Sequence, residues 1–211
     1  MKTPKLITPL TFLIITLGLV QPVSARIGES RAELEGRLLR SGGIVYRSED
    51  VRALRRNAGP YLSYLQYLGG AAEVRVYFKT DNGRQPTQSE IEDSKTRPPG
   101  WDVHVVYVNG KSALELYERS KGMSQYESNA LLGLLSDGAY WKKPEKPAPD
   151  DEEEPPPSIF GFDFVRSDET VRAKRLGGSK LMVFSRELDE LIARQHTNSL
   201  VEKAPASVFG F

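Results

Sequence analysis

Asn109-Gly110 separates two alternating runs, Trp101 to Val108 and Lys111 to Tyr117, and constrains the fold more than any other dipeptide in the chain. A two-residue type I′ turn needs positive φ at both central positions, which Asn and Gly supply at little cost, so the flanking runs pair antiparallel. The turn also sets a register in which Val108 faces Lys111, Tyr107 faces Ser112, Val105 faces Leu114 and Val103 faces Leu116. Side chains alternate across a strand, so Val103, Val105, Tyr107, Leu114 and Leu116 form the face turned to the core. Asp102, His104, Val106, Glu115 and Tyr117 form the other face.

Periodicity places further elements around this hairpin. Leu34, Leu38 and Leu39 share one stripe of an amphipathic helix over 29–40, which Ser41-Gly42-Gly43 stops. Ile44-Val45-Tyr46 reads as a short strand, and Ser48 caps a second helix from Glu49 to about Asn57. Pro60 opens a short helix over 61–68, with an extended aromatic segment as the alternative, because tyrosine and leucine alone do not settle the period. Val74, Val76 and Phe78 alternate into a strand that ends at Asp81-Asn82-Gly83. A polar loop with one helical turn near Ser89-Glu90-Ile91 leads to the hairpin, and a helix from Met123 to Leu135 follows it. This order predicts an α+β fold over 26–142, an antiparallel sheet with helices packed on one face.

The two ends of the chain differ from this core in composition. Lys2 and Lys5 precede an apolar stretch from Leu6 to Val20, and Val23-Ser24-Ala25 supplies the small-x-small exit of a secretory signal peptide over 1–25. Cleavage before Arg26 would change the net charge from +1 to −1, an unfavourable balance for holding a phosphate backbone. No later apolar run is long enough to span a bilayer, so no membrane span is expected in the mature chain. There is no cysteine, which excludes disulfides, thiolate chemistry and the acylated cysteine of a lipoprotein. These features point to a secreted or periplasmic bacterial protein that stands on its hydrophobic core alone.

Residues 143–157 carry six acids and two lysines and no apolar side chain larger than alanine or proline, the composition of a solvated linker. Beyond it, Phe160, Phe162 and Phe164 alternate as in a strand, Thr170 to Leu176 and Leu181 to Phe184 give two more, and Ser185 caps a C-terminal helix. Residues 158–211 make too thin a core alone, so these C-terminal strands and their helix are expected to dock on the first sheet, with the acidic segment as an insertion. One pentapeptide recurs, as Ser158-Ile159-Phe160-Gly161-Phe162 and Ser207-Val208-Phe209-Gly210-Phe211. Phenylalanines two apart lie on one side of an extended strand, which makes Phe209 and Phe211 candidates for adding to a sheet edge.

Chemistry-bearing residues are few. The two histidines are His104 and His196, and the register above sets His104 beside Asp102 and near Glu115, the one constellation suited to acid–base work. His196 sits in the C-terminal helix without a supporting motif. Two isolated histidines without cysteine give none of the close-spaced pairs of transition-metal sites, and the paired glycines match no phosphate-binding loop, so neither metal nor cofactor is expected. Tyr61, Tyr64 and Tyr67 are candidates for partner binding, because tyrosine joins an apolar body to a polar tip.

The run Ala25-Arg26-Ile27-Gly28-Glu29-Ser30, the helix after it, Val106-x-x-x-Gly110-Lys111-Ser112-Ala113, and Leu131-Leu132-x-Leu134-Leu135 before Trp141 resemble a loose group of small secreted bacterial α+β proteins of unassigned function, over residues 25–142. That resemblance implies location rather than reaction. The helix-plus-three-strand layout is also similar to small periplasmic modules of outer-membrane-assembly lipoproteins and to β-lactamase-inhibitor proteins, which bind other proteins; this chain lacks the lipid-bearing cysteine. The expectation is an exported, non-enzymatic protein that makes protein–protein contacts in the bacterial cell envelope. The alternative is an exported hydrolase of cell-wall sugar or peptide centred on His104, Asp102 and Glu115.

Overall fold

The computed structural model describes residues 27–40, 44–47, 59–93, 95–144 and 157–203. The expected signal peptide, the helix over 49–57, most of the acidic linker, and Phe209 and Phe211 lie outside the described residues. In chain order the elements are α1 (Arg31–Arg40), β1 (Ile44–Arg47), a 3-10 helix (Leu62–Ala71), β2 (Ala72–Thr80), α2 (Gln88–Glu92), β3 (Gly100–Val108) and β4 (Lys111–Arg119). Then follow α3 (Gln125–Leu134), β5 (Trp141–Lys142), β6 (Phe164–Arg166), β7 (Val171–Leu176), β8 (Lys180–Ser185) and α4 (Arg186–Lys203).

The eight strands of the described residues join one sheet in the order β1-β2-β3-β4-β8-β7-β6-β5, and every neighbouring pair is antiparallel. The fold is α+β. Two meanders meet where Leu114 faces Phe184 and Leu116 faces Met182, so β8 of the C-terminal segment extends the sheet begun by the hairpin.

Helix starts follow local chemistry. Ser124 caps α3 by accepting from the Glu127 N–H, while the Glu127 carboxylate accepts from the Ser124 N–H; Thr87 and Glu90 do the same for α2. Ser185 Oγ accepts the Leu188 N–H at 3.1 Å and satisfies one orphan donor of α4.

The hairpin departs from the register that its turn implies. Val108 and Tyr107 face Lys111 and Ser112, but Val106 then faces Leu114, Val105 faces Glu115 and Val103 faces Tyr117. Ala113 is the extra residue of a β-bulge, and beyond it the β4 side chains exchange faces. The bulge sits where another segment claims the strand. Ser112 donates its N–H to Glu29 O at 2.8 Å and accepts the Gly28 N–H at 2.8 Å, so the residues ahead of α1 hold the hairpin at this point.

With this register both faces of the sheet are apolar. Val103, Val105, Tyr107, Leu181 and Val183 pack under Leu34 and Leu38 of α1 and under Leu132 and Leu135 at the end of α3. On the reverse side Val106, Leu114, Leu116, Met182 and Phe184 pack under Leu188 and Ile192 of α4, with Tyr61 and Phe160. Helices therefore cover both faces rather than the single face expected. The cause is the bulge, which turns Leu114 and Leu116 to the side where the unshifted register had polar residues.

The pentapeptide 158–162 is likewise not a strand. Gly161 adopts φ +64 and its N–H bonds Ser158 Oγ at 2.9 Å, which folds the segment into a turn. Phe160 enters the core against Phe184, with ring centroids 5.1 Å apart, and Phe162 lies under the Arg172 guanidinium at 4.6 Å.

Candidate functional site

The bulge decides the fate of the acid–base constellation. His104 is buried on the α4 side of β3, its Nδ1 2.7 Å from the Tyr61 hydroxyl and its ring edge-on to the tyrosine. Asp102, two residues back on the same face, accepts from Arg97 Nη2 at 2.5 Å, and that guanidinium stacks over Phe78. The residue facing His104 across β4 is Leu116. Glu115 is buried on the opposite face, between Val105 and Val183 in neighbouring strands. The sheet itself separates His104 and Asp102 from Glu115, so the three side chains do not meet in one cleft.

Glu115 belongs to a different cluster. The Tyr117 hydroxyl donates to its Oε2, and its Oε1 has no hydrogen-bond partner among the described residues. Burial pushes the Glu115 carboxyl up, against the opposing pull of the Tyr117 hydrogen bond and the Arg37 guanidinium. Burial and the adjoining carboxylate hold the Tyr117 hydroxyl well above its usual range. Arg37 is tied to Glu29 at 2.7 Å.

The tyrosines divide as well. Tyr61 is 1% exposed and offers no surface to a partner, because its ring fills the core above Leu114 and Leu116. Tyr64 and Tyr67 are half-buried and stacked with centroids 6.5 Å apart, and both meet the His196 ring edge-on at about 6 Å. This aromatic seam joins the 3-10 helix to α4, a packing role that the three-residue spacing of tyrosines does not reveal.

Sequence reasoning passes over two features. One is Asp189 in the first turn of α4, fully buried, which accepts from Ser158 Oγ at 2.6 Å, Ile159 N–H at 2.9 Å, Phe160 N–H at 3.2 Å and Arg172 Nη1 at 2.6 Å. It anchors the 158–162 turn. The other is a groove of about 530 Å³ between α1 and α3, of the size that takes a small ligand or a cluster of partner side chains.

The groove is asymmetric. Ala130, Leu131, Leu134 and Leu135 give it an apolar wall on the α3 side, and Trp101, Val103 and Tyr117 an aromatic and aliphatic floor. Leu134 stands 59% exposed at its lip. The opposite side carries Arg37 and Arg40 of α1 and Lys79 of β2, beside Ile44. Glu127 at the far end is engaged by Arg119 at 3.0 Å, whose guanidinium also pairs with Asp81 and stacks 5.0 Å above Trp101. Among the described residues Arg40 and Lys79 have no ion-pair partner. The signal for this site was the leucine density of 131–135, more than one helix stripe needs to bury.

Set against known proteins, the chain matches no family model, no curated protein and no solved structure. Among the described residues no group of three or more His, Asp or Glu side chains is placed to hold a metal ion, and no helix is long and apolar enough to cross a membrane.

Proposed function

We propose that this is an exported, non-enzymatic protein of the bacterial cell envelope that works through protein–protein contact, with the groove between α1 and α3 as its docking site. The observation that carries this reading is the groove itself: an apolar cleft with an exposed leucine at its lip and charged residues around it. Interfaces concentrate their binding energy in such desolvated pockets with polar surrounds. The leader-like pattern over 1–25, two lysines before an apolar stretch and a small-x-small exit, supports export. The alternative hydrolase loses its support, since it needs His104, Asp102 and Glu115 together and they lie on two sides of one sheet.

A photoreactive amino acid at position 134 tests this in cells that make the protein, with position 194, exposed on α4 of the reverse face, as control. Discrete protein adducts from 134 and none from 194 are the expected result. No adduct from 134, or the same ladder from both positions, overturns the docking role. Mass spectrometry of the recovered chain should give Arg26 as its first residue; recovery of the intact precursor overturns export.

A further inference from the structure

We infer that the groove is built for a short acidic amphipathic segment of another protein, one that sets two or three aliphatic or aromatic side chains beside carboxylates. This deepens the docking role proposed above and rests on it. The asymmetry of the walls fixes the orientation: apolar side chains of the occupant lie on Trp101, Val103 and Leu131, and its carboxylates point toward Arg40 and Lys79. An apolar side chain gains from leaving water in such a cleft, while a cationic rim steers and orients an anionic partner.

The charges already inside the site sharpen the choice. Arg37 is neutralised by Glu29, and Glu127 is committed three times over, to the Ser124 N–H, the Ser124 hydroxyl and Arg119. Those contacts hold the Glu127 carboxyl below the usual carboxylate range, so it stays ionised and paired. The cations left over are Arg40 and Lys79, on the side opposite the apolar wall. Length is set by the flanking helices. Each has ten residues and is therefore about 15 Å long, which matches some ten helical or five extended residues of a partner.

The chain's own segments are poor occupants, in the same molecule or in a second copy. Residues 48–58 carry Val51 and Leu54, but set Arg52, Arg55 and Arg56 against Glu49 and Asp50, a net charge of +1 that suits a cationic wall poorly. Residues 145–156 supply carboxylates, but nothing larger than proline for the apolar wall. The repeat at 207–211 has the rings and no acidic side chain. The chemistry the groove lacks must come from a different protein.

A random 12-residue peptide library displayed on phage and selected on the mature protein tests the assignment, followed by affinity measurement of the enriched peptide through intrinsic tryptophan fluorescence. The double variant R40E/K79E changes only exposed and half-buried surface positions, and thermal unfolding checks that its fold is kept. The expected result is a consensus of Leu, Ile or Phe interleaved with Asp or Glu, bound at least 10-fold more weakly by R40E/K79E and progressively more weakly as salt rises. A basic or uncharged consensus overturns the inference, as does an acidic one whose affinity R40E/K79E leaves unchanged. Saturable binding of dodecanoate with no enriched peptide overturns it in favour of a small amphiphile. Concentration-dependent dimerisation abolished by Leu134→Ser overturns it in favour of a second copy. The two readings fail separately: adducts from position 134 with a basic consensus sink the acidic partner alone, and an acidic consensus without adducts sinks the docking role in the cell while the groove's preference for an acidic amphipathic segment stands.

Discussion

The two faces of the sheet bury charge in opposite ways. On the α4 side both oxygens of Asp189 are used, by Arg172, Ser158 and two backbone N–H groups, and the aromatic rings of Tyr64, Phe160 and Phe184 close over the sheet. On the α1 and α3 side one oxygen of Glu115 has no partner among the described residues, and a groove of about 530 Å³ stands nearby over Tyr117. A buried carboxylate with all its donors in place fixes the path of the chain. The carboxylate short of a donor lies on the face that also holds the groove, and it is the groove that leaves room for something else, since Arg172 Nε on the closed α4 side likewise has no hydrogen-bond partner among the described residues.

The sharpest way to break this contrast is to remove the anchor. In Asp189→Ala the Arg172 guanidinium, 2% exposed, loses its 2.6 Å partner and keeps only Glu190 at 3.2 Å and the Pro157 carbonyl at 3.3 Å, and three donors from 158–160 lose their acceptor. Truncating one partner of a buried pair costs about 3–5 kcal/mol, and urea denaturation should read a loss in that range. The double variant Asp189→Ala with Arg172→Met should recover part of it, because the stranded charge goes. If Asp189→Ala alone costs under about 1 kcal/mol, the 158–162 turn is not held by this carboxylate.

A smaller effect separates the packed face from the open one. Ala193 lies buried in α4, whereas Ala130 lines the groove. Adding three carbons at position 193 overpacks a filled interior and should cost about 1–3 kcal/mol. The same Ala130→Leu change enters free space and should move stability by no more than about 0.5 kcal/mol while weakening the selected peptide. Equal costs at the two positions would mean that the groove is filled by the chain itself.

What the sequence disclosed, and what it hid, divides by the distance over which each feature is decided. The turn at Asn109-Gly110 and the cap at Ser185 act on residues one to three positions away, and both appear where local chemistry puts them. The bulge at Ala113 depends on Gly28 and Glu29, some 84 residues earlier, and no pattern within the hairpin announces it. That one residue sent Leu114 and Leu116 to the far face and parted Glu115 from His104. The alternating phenylalanines of 160–164 read as a strand until Asp189, about 30 residues later, gathers the backbone N–H groups of 159 and 160 into a turn. The groove was the least legible feature, because it is the space between two helices, and the excess of leucine over 131–135 on one of them does not say what stands opposite.

The last contrast is in titration. Glu115 has a folded-state pKa raised mainly by burial, so folding favours its protonated form. A carboxyl raised in this way contributes stability that is present at low pH and is lost as pH climbs from the unfolded value, about 4.3, through the folded one, at about 1.4 kcal/mol per pH unit of separation. Glu115→Gln keeps the shape and an oxygen able to accept from Tyr117, and carries no charge to desolvate. Its stability should therefore exceed that of the native protein above the folded pKa, with the two curves converging toward pH 4. The variant also loses the attraction between an ionised Glu115 and Arg37, which opposes burial in setting the native pKa and trims the gain. Measured as urea midpoints from pH 4 to 9, a flatter profile for Glu115→Gln identifies this buried carboxyl as a cost of the face that holds the groove. A native profile that rises with pH, and a variant that lacks the rise, would instead make the ionised Glu115 and Arg37 a stabilising pair and bring the two faces to the same rule.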